Sequence, residues 1–480
     1  MLTMEIYELV RLFFEVPTYH LVLEAVLIIW VLSLILKKKS HNPAKSSLSE
    51  KGSHLWNKLS GHEREELIQE WTPEPLVPDD ADQEPIKYDV IQGKVGKYVT
   101  IGGRQYLNAA THNFLGMVGD ERVEEAAVTC LRKYGVGSCG PRAFFGTIDV
   151  HLDLEKRISE FMGTEESVLY SLGFSTVASA IPAYAKRADI IFADEAVCFA
   201  IQKGLQASRS DVRYFRHNDM EHLEELLQRQ AQADWLKPKA AAEVRKFLVV
   251  EGVYANTGAV CRLPELLRLK AEHKLRLFID ESLSLGVLGG TGRGVTEHFG
   301  VTAREADLIM VSMEAALGSV GGFTTGSFYV ADHQRLSGQG YVFSAALAPL
   351  CAAAAMCVID LLDAEPEMTD QLRDVCRAMH KALAGIDGLH LVGDELSPVK
   401  FLQLPGSDLD RRDSERTLQC IVDQCREQGV ALTLARYLEQ EEYRLPVPAI
   451  RLTCTRLMGP QEVRQVGDAL ATGARYFSPC

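Results

Sequence analysis

This sequence lacks cysteines and histidines at the spacing of zinc sites, and it lacks an excess of basic residues. Its 11 cysteines include no Cys-x-x-Cys pair and no Cys/His cluster with zinc spacing. We therefore predict no metal site and interpret the cysteines as mostly reduced thiols facing the cytosol. The net charge is −14. Nucleic-acid binding needs an excess of Lys and Arg, so we predict no nucleic-acid partner.

Long hydrophobic runs are also scarce, and the chain has one that is relatively short. Residues 21–36 contain a single acid, Glu24, and as a helix would be about 24 Å long. Three lysines follow at positions 37–39. The positive-inside rule places them, and the bulk of the chain, in the cytosol. We predict a single-pass anchor over residues 16–40 in a thin membrane, the endoplasmic reticulum, preceded by an amphipathic luminal helix over residues 1–15.

The rest of the chain divides into three parts by composition. Residues 41–87 are polar and then proline-rich, which predicts a linker and a surface strap. Residues 88–349 alternate short apolar runs with amphipathic stretches, a pattern typical of a mostly parallel sheet wrapped by helices. Residues 350–480 predict a smaller α+β domain. The predicted buried strands are residues 168–170, 190–192, 247–250, 277–279 and 308–311, and a helix is predicted over 121–134.

Lysine is absent from residues 275–380. This stretch contains two of five loops that carry glycine or small polar residues, at residues 113–116, 134–147, 171–174, 278–294 and 314–323. Each loop alone is a weak signal, because glycine-rich turns are common. In this order the five resemble the α-oxoamine synthases, a pyridoxal-phosphate (PLP) family of fold type I. That family condenses an amino acid with an acyl-CoA and releases CO2.

Further stretches narrow the resemblance to the long-chain base subunits of serine palmitoyltransferase. They are residues 138–142, 149–155, 199–211 and 332–345, together with the anchor and the strap. The resemblance covers about residues 71–456. It implies an α/β fold of the aspartate aminotransferase type, with a large domain over residues 88–349 and a small domain over residues 350–480.

Several PLP contacts of the family are replaced in this chain. The Schiff-base lysine position is Ala315, so the resemblance implies no catalytic residue here. Three more contacts are replaced by Cys198, Ala255 and Leu283. The family's acid is retained as Asp280. We expect this carboxylate to be solvated, paired or hydrogen-bonded, because it has no pyridinium partner.

Two loops match segments that lie at the dimer interface in the family. One is represented by Gly137, Cys139, Arg142 and Phe144. The other is Phe343, Ser344 and Ala345. The resemblance leaves two interpretations open: the second loop contributes in trans to the PLP site of a partner, or both loops only preserve dimer packing.

Cys139 and Arg451 are each open to two interpretations. Cys139 could be a reactive thiol, but we favour buried packing of a small residue in a tight loop. Arg451 matches the family arginine that grips the substrate carboxylate. We favour a structural ion pair for it, because the chain has no cofactor to deliver a substrate.

The resemblance implies a non-catalytic but required subunit of an acyltransferase. The reaction would join L-serine and palmitoyl-CoA to give 3-oxosphinganine, CoA and CO2, the first step of sphingolipid synthesis. PLP would be bound by a heterodimer partner, the catalytic long-chain base subunit 2 or 3. Small activating subunits, Orm-type regulators and membrane lipid are further expected partners. The alternatives are a regulatory scaffold with no part in the active site, and a self-sufficient enzyme with a displaced lysine.

Overall fold

A computed structural model of the chain describes Leu23, Leu76 and residues 26–32, 59–72, 88–406 and 410–477. It divides into two compact units, Met1–Lys87 and Tyr88–Cys480. The predicted helix over residues 1–15 and most of the predicted anchor lie outside the described residues. Within the anchor, residues 26–32 are helical and exposed. No helix in the described part of the chain is long and apolar enough to cross a membrane.

The first unit contains helix α1 (Gly61–Glu70). Ser60 begins it with a capping box: its hydroxyl accepts from the Glu63 N–H at 3.3 Å, and its own N–H donates to Glu63 at 2.7 Å. None of the helix residues is buried. The helix is therefore stabilised by its cap and not by a core within this unit.

The second unit contains three sheets and the helices around them. Its strands are β1 (Ile91–Gln92), β2 (Tyr98–Ile101), β3 (Arg104–Asn108), β4 (Glu166–Tyr170), β5 (Ile190–Asp194), β6 (Asp211–Phe215), β7 (Lys246–Glu251), β8 (Arg276–Asp280), β9 (Leu308–Ser312), β10 (Gly322–Gly326), β11 (His390–Val392), β12 (Val399–Gln403), β13 (Val430–Ala431), β14 (Thr433–Leu434) and β15 (Ile450–Thr453). Its helices are α2 (Glu121–Tyr134), α3 (Asp149–Met162), α4 (Gly173–Tyr184), α5 (Phe199–Ser208), α6 (Met220–Leu236), α7 (Pro238–Ala241), α8 (Leu263–His273), α9 (Val295–His298), α10 (Phe328–Ser337), α11 (Gln339–Val342), α12 (Pro349–Ala364), α13 (Glu367–Leu383), α14 (Arg411–Glu427) and α15 (Pro460–Phe477).

The central sheet has seven strands in the order β4-β10-β9-β8-β7-β5-β6. The run β9-β8-β7-β5-β6 is parallel, whereas β10 is antiparallel to both of its neighbours. The five predicted buried strands are present within β4, β5, β7, β8 and β9. Their apolar side chains are buried on both faces of the sheet, which explains their continuous apolar runs. The α/β fold with a mostly parallel sheet is confirmed, although β4 pairs only with an antiparallel neighbour.

Helix α2 shows how local signals set element bounds. The Asp120 side chain accepts from the Arg122 N–H at 3.0 Å and begins the helix. Gly135, with φ of 77°, ends it. The predicted bounds of this helix are therefore confirmed.

The other two sheets have four strands each, in the orders β1-β2-β3-β13 and β11-β12-β15-β14. Strand β13 pairs in parallel with β3, so the beginning and the end of this unit share one sheet. A backbone bond from the Thr453 N–H to the Ala109 carbonyl, at 2.9 Å, adds to this junction. The predicted division at residues 349 and 350 stays a prediction.

Candidate functional site

Two buried acids lie side by side at one edge of the central sheet. Glu251 ends β7 and Asp280 ends β8, and the two are direct partners in the parallel register. Ligands of parallel sheets bind at this edge, because loops from several strands meet there. Sequence reasoning missed Glu251. It follows the predicted buried strand 247–250, as Asp280 follows the predicted buried strand 277–279.

Asp280 is hydrogen-bonded within its own chain. Its Oδ1 accepts from the Ser282 N–H at 2.9 Å and from the Ser282 hydroxyl at 2.5 Å. Its Oδ2 accepts from the Cys198 thiol, with Sγ at 3.9 Å. The residue is only 4% exposed, and burial raises the pKa of its carboxyl group. The retained acid thus has partners that replace a pyridinium nitrogen.

Glu251 fixes the two loops that carry the replaced positions Cys198 and Ala255. One carboxyl oxygen accepts from the Cys198 N–H at 2.5 Å, and the other accepts from the Ala255 N–H at 2.9 Å. Burial, and then repulsion from Asp280, raises the pKa of Glu251 well above its ordinary value. Burial also raises the pKa of the Cys198 thiol well above its ordinary value. Both environments favour the neutral, protonated form.

Ala315 and Leu283 form apolar packing where the family has a lysine and a histidine. Both side chains are buried. The Ala315 carbonyl accepts from the Phe114 N–H at 3.1 Å, which joins the fifth predicted loop to the first. At the position where the family has its lysine, this chain therefore has only a methyl group, buried in the core.

These residues do not fit covalently bound PLP. A Schiff base needs a primary amine, and residues 275–380 contain no lysine. The acid that would hold the pyridine nitrogen accepts from Cys198 and Ser282 instead. Lys203 on α5 is paired with Glu441 and lies 4.9 Å from the centroid of the Phe199 ring. These strand-end residues, called the pocket below, therefore supply no covalent PLP chemistry of their own; they are Cys198, Glu251, Ala255, Asp280, Leu283 and Ala315.

Glu281, next to Asp280, is a further buried carboxyl group. Its two oxygens accept from the Val295 N–H at 3.1 and 2.9 Å, and one of them also accepts from the Ser284 hydroxyl. Burial raises the pKa of Glu281 to about 7. The charge state of Glu281 therefore changes within the physiological pH range.

The expected ion pair of Arg451 is missing from the described residues. No carboxylate in that part of the chain lies within ion-pair distance, and its Nε has no hydrogen-bond partner there. His112 lies nearby, and its Nε2 is also unpartnered. Burial, with a contribution from Arg451, lowers the pKa of His112 to about 4. Among the described residues, Arg451 therefore lacks the structural ion pair that we favoured.

The two predicted interface loops lie against each other. Pro141 and Ala345 form an isolated antiparallel bridge, and the Ala346 N–H donates to the Gly140 carbonyl at 2.9 Å. Ser344 shares a hydrogen bond of 2.8 Å with Ser171, in the third predicted loop. The second and third of the five loops and the loop of Phe343, Ser344 and Ala345 are therefore joined at one place.

A buried ion pair stabilises the first of these loops, the one that contains Arg142, from the protein interior. Arg142 donates to both oxygens of Glu155, at 2.8 and 2.9 Å, and its Nε donates to Thr147 at 2.9 Å. Glu155 also accepts from the Leu169 N–H at 2.9 Å, which ties the pair to β4. The Arg142 guanidinium lies 5.4 Å from the centroid of the Tyr341 ring. Arg142 therefore faces inward and fixes the loop.

Cys139 is exposed, so the favoured buried packing was wrong. Its backbone has φ of 63°, in the left-handed region that non-glycine residues rarely adopt. The exposure alone assigns the thiol no function.

The mostly parallel sheet, with two acids at its strand ends, defines an aminotransferase-like chain. A family model described as aminotransferase class I and II matches residues 104–470. A serine palmitoyltransferase structure from S. paucimobilis, with a bound PLP–myriocin aldimine, superposes with a TM-score of 0.73 at 24% identity. The match covers 90% of this chain and 99% of that one. This likeness supports the fold.

Two curated relatives are more similar in sequence. Long chain base biosynthesis protein 1b of Oryza sativa subsp. japonica is 40% identical over 452 residues, which is 94% of this chain and 90% of the relative. Serine palmitoyltransferase 1 of Dictyostelium discoideum is 41% identical over 416 residues, 85% of this chain and 86% of the relative. The chain therefore belongs to the aminotransferase class I and II family, within the group of long chain base biosynthesis protein 1 and serine palmitoyltransferase 1.

Proposed function

We propose that this chain is the non-catalytic but required subunit of a serine C-palmitoyltransferase. The enzyme condenses L-serine with palmitoyl-CoA to 3-oxosphinganine, CoA and CO2, in the first step of sphingolipid synthesis. The names of the two curated relatives support this activity. The observation that carries the non-catalytic role is the pocket, in which Ala315 is a buried methyl group and Asp280 is satisfied by its own chain.

PLP binds to the partner in this proposal. The partner is a lysine-bearing long-chain base subunit, 2 or 3, and the two chains form a heterodimer. The loops around Arg142 and Ser344 complete or support the partner's site. Their tight connection and the inward ion pair beneath them support a role in presenting a fixed surface.

The remaining parts of the proposal concern the membrane and further partners. Residues 16–40 anchor the complex in the endoplasmic reticulum membrane, with residues 1–15 luminal and the bulk of the chain cytosolic. Small activating subunits and Orm-type regulators bind the assembled enzyme. The run of apolar residues followed by three lysines supports the anchor.

Co-expression tests the proposal. This full-length chain, a lysine-bearing relative and the pair are each purified from membranes and assayed for CO2 release from L-serine with palmitoyl-CoA. We expect activity only in the pair, and PLP covalently trapped by borohydride only on the relative. If the relative alone reaches the activity of the pair, this chain is a scaffold outside the active site. Trapping of PLP on this chain would show a self-sufficient enzyme.

The same preparation tests the anchor. We expect the pair in the membrane fraction, and a chain without residues 1–40 in the supernatant. If the shortened chain alone still sediments with membranes, residues 16–40 are not its anchor.

A further inference from the structure

The edge of the central sheet that lies opposite the pocket is rich in basic residues. Strands β6, β5, β7, β8 and β9 run in parallel and all begin at this edge. The turns that lead into them contain ten Lys or Arg residues and six Asp or Glu residues. We call these turns the basic edge, and they are residues 186–189, 209–211, 234–246, 274–276 and 304–307. Positive charge is thus concentrated at one place on a chain of net charge −14.

The strand register makes the basic edge continuous. Ile190 pairs with both Asp211 and Lys246, and Phe247 pairs with Arg276. The first residues of four neighbouring strands therefore lie side by side, and β9 follows in parallel with β8. Neighbouring strands are about 4.8 Å apart, so five strand beginnings form a row roughly 19 Å long.

Ion pairs neutralise most acids of the basic edge and leave most of its cations free. Four of its six acids are paired: Asp189 with Arg245, Asp211 with Arg213, Asp234 with Lys246 and Asp307 with Arg276. The other two, Glu243 and Glu305, form no ion pair with described residues. Seven exposed cations likewise have no ion pair in that part of the chain, and they are Lys186, Arg187, Arg209, Lys237, Lys239, Lys274 and Arg304. The basic edge can therefore attract a negatively charged partner.

Exposed apolar side chains flank the basic edge on both sides. Trp235 is 81% exposed and Leu236 is 71% exposed, at the end of α6, which returns to this edge from the far end of β6. On the other side, Phe328 and the 83% exposed Tyr329 follow directly after β10. That strand is antiparallel to β9 and so ends at this edge. Aromatic side chains in this setting are typical of the membrane–water boundary.

A bilayer of anionic lipid fits this combination of groups. The negative surface of such a bilayer attracts clustered Lys and Arg. Aromatic and leucine side chains beside the cations can enter the boundary between headgroups and acyl chains. A flat row of charges with apolar groups at its two ends suits an extended planar surface. The proposed anchor also keeps the chain at a membrane.

We propose that the basic edge docks on the surface of an anionic bilayer, with Trp235 and Leu236 entering the headgroup region. The inference rests on the proposed function only in that the chain reaches a membrane, and it adds a second, reversible contact. The pocket lies at the opposite edge of the same sheet. Docking therefore holds the pocket on the side that faces away from the lipid.

The fluorescence of Trp235 in the full-length chain tests this contact. The chain is mixed with vesicles whose acyl chains carry bromine, which quenches tryptophan, made of phosphatidylcholine alone or with about 30% phosphatidylserine. Subtracting the signal of Trp235→Phe removes the contribution of the other three tryptophans. We expect Trp235 emission to fall by about half on the anionic vesicles and by less than about a tenth on the neutral ones. Equal quenching on the two kinds of vesicle overturns the proposal.

Charge reversal locates the contact on the basic edge. Lys237→Glu with Lys239→Glu should abolish the quenching on anionic vesicles, and about 0.5 M salt should do the same to the wild type. The matched control is Lys381→Glu with Arg412→Glu. Lys381 and Arg412 are exposed, form no ion pair with described residues, and lie on α13 and α14. This control changes the net charge equally and should keep wild-type quenching. Equal losses in the two double variants contradict the proposal.

Other outcomes are separated by the same preparations. If the lysine-bearing partner shields Trp235 from acrylamide and anionic vesicles do not quench it, the basic edge binds protein and the proposal fails. Quenching of Trp30 should persist in Trp235→Phe on neutral vesicles, since Trp30 lies in the predicted anchor. Its absence would overturn the anchor and leave the result for Trp235 unaffected. Inactivity of the co-expressed pair would overturn the proposed function alone.

Discussion

The pocket at the strand ends differs from the exposed rings of Phe144, Phe145 and Phe343, here called the aromatic face, in where the chemical groups find partners. In the pocket, Asp280 and Glu251 receive their hydrogen bonds from Ser282, Cys198 and Ala255 of the same chain. On the aromatic face, large apolar side chains have no cover among the described residues. The acids of the pocket have partners within the chain, whereas the side chains of the face are open to another molecule. This contrast is expected of a subunit that has lost its own catalytic site but still assembles with a partner.

The ion pair beneath the face gives the largest expected effect. Arg142→Ala leaves Glu155 as an unpaired buried charge, and we expect it to destabilise the fold by about 3–5 kcal/mol. Denaturant unfolding in detergent measures the change. The double variant Arg142→Met with Glu155→Leu is the control and should lose far less stability, because no charge remains unpaired. A loss below about 1 kcal/mol in Arg142→Ala would show that the pair does not fix the loop.

The pocket should show a pH dependence of stability that comes from Glu281. Its pKa is about 7 when folded and 4.5 in the unfolded reference. The folded state therefore binds the proton more tightly, and this stabilisation is fully present below pH 4.5 and lost as the pH rises through 7. A pKa difference of this size corresponds to roughly 3 kcal/mol.

Unfolding of Glu281→Gln between pH 5 and 8 checks this prediction. Glutamine keeps an oxygen that can accept from Val295 but does not titrate. We expect a flatter pH profile than in the wild type. Some slope should persist, because Asp280 and Glu251 also have raised pKa values. Identical profiles of the two proteins would contradict the assignment to Glu281.

Restoring the lysine should have the smallest effect. Ala315→Lys places an amine in a packed site, and we expect it to cost about 1–3 kcal/mol and to form no covalent link to PLP. Leu283, and the hydrogen bond that Cys198 donates to Asp280, still disfavour binding of the cofactor ring. Borohydride reduction followed by mass spectrometry measures the link, with a lysine-bearing relative as the positive control. Covalent PLP on Ala315→Lys would show that the pocket retains a cofactor site.

The parts of the fold with local signals could be predicted from the sequence. Helix α2 has a capping aspartate before it and a glycine after it, and both bounds were predicted. Strand β10 was not predicted, because Gly322–Gly326 has glycines where a strand pattern has apolar residues. That strand is defined by pairing with its neighbour β9 on one side and, on the other, with β4, which lies far away in sequence.

In the candidate site too, features that depend on distant contacts could not be predicted from the sequence. The absence of a lysine at position 315 could be predicted, because the resemblance aligns this sequence with the lysine motif of the family. The exposure of Cys139 depends on how its loop packs in three dimensions, and the lack of a partner for Arg451 depends on which side chains fold against it. Neither is encoded by the residue type or by its immediate neighbours.

The pairing of β3 with β13 has a consequence for synthesis of the chain. Leu107 pairs with Val430, and Arg104 donates to the carbonyl of Glu427, 323 residues further along. A ribosome adds about 5–20 residues per second, so the edge of β3 waits roughly 15–65 s for its partner strand. During that time the open edge can pair with other chains. Early contact with a chaperone or a partner subunit would protect the nascent protein at this point.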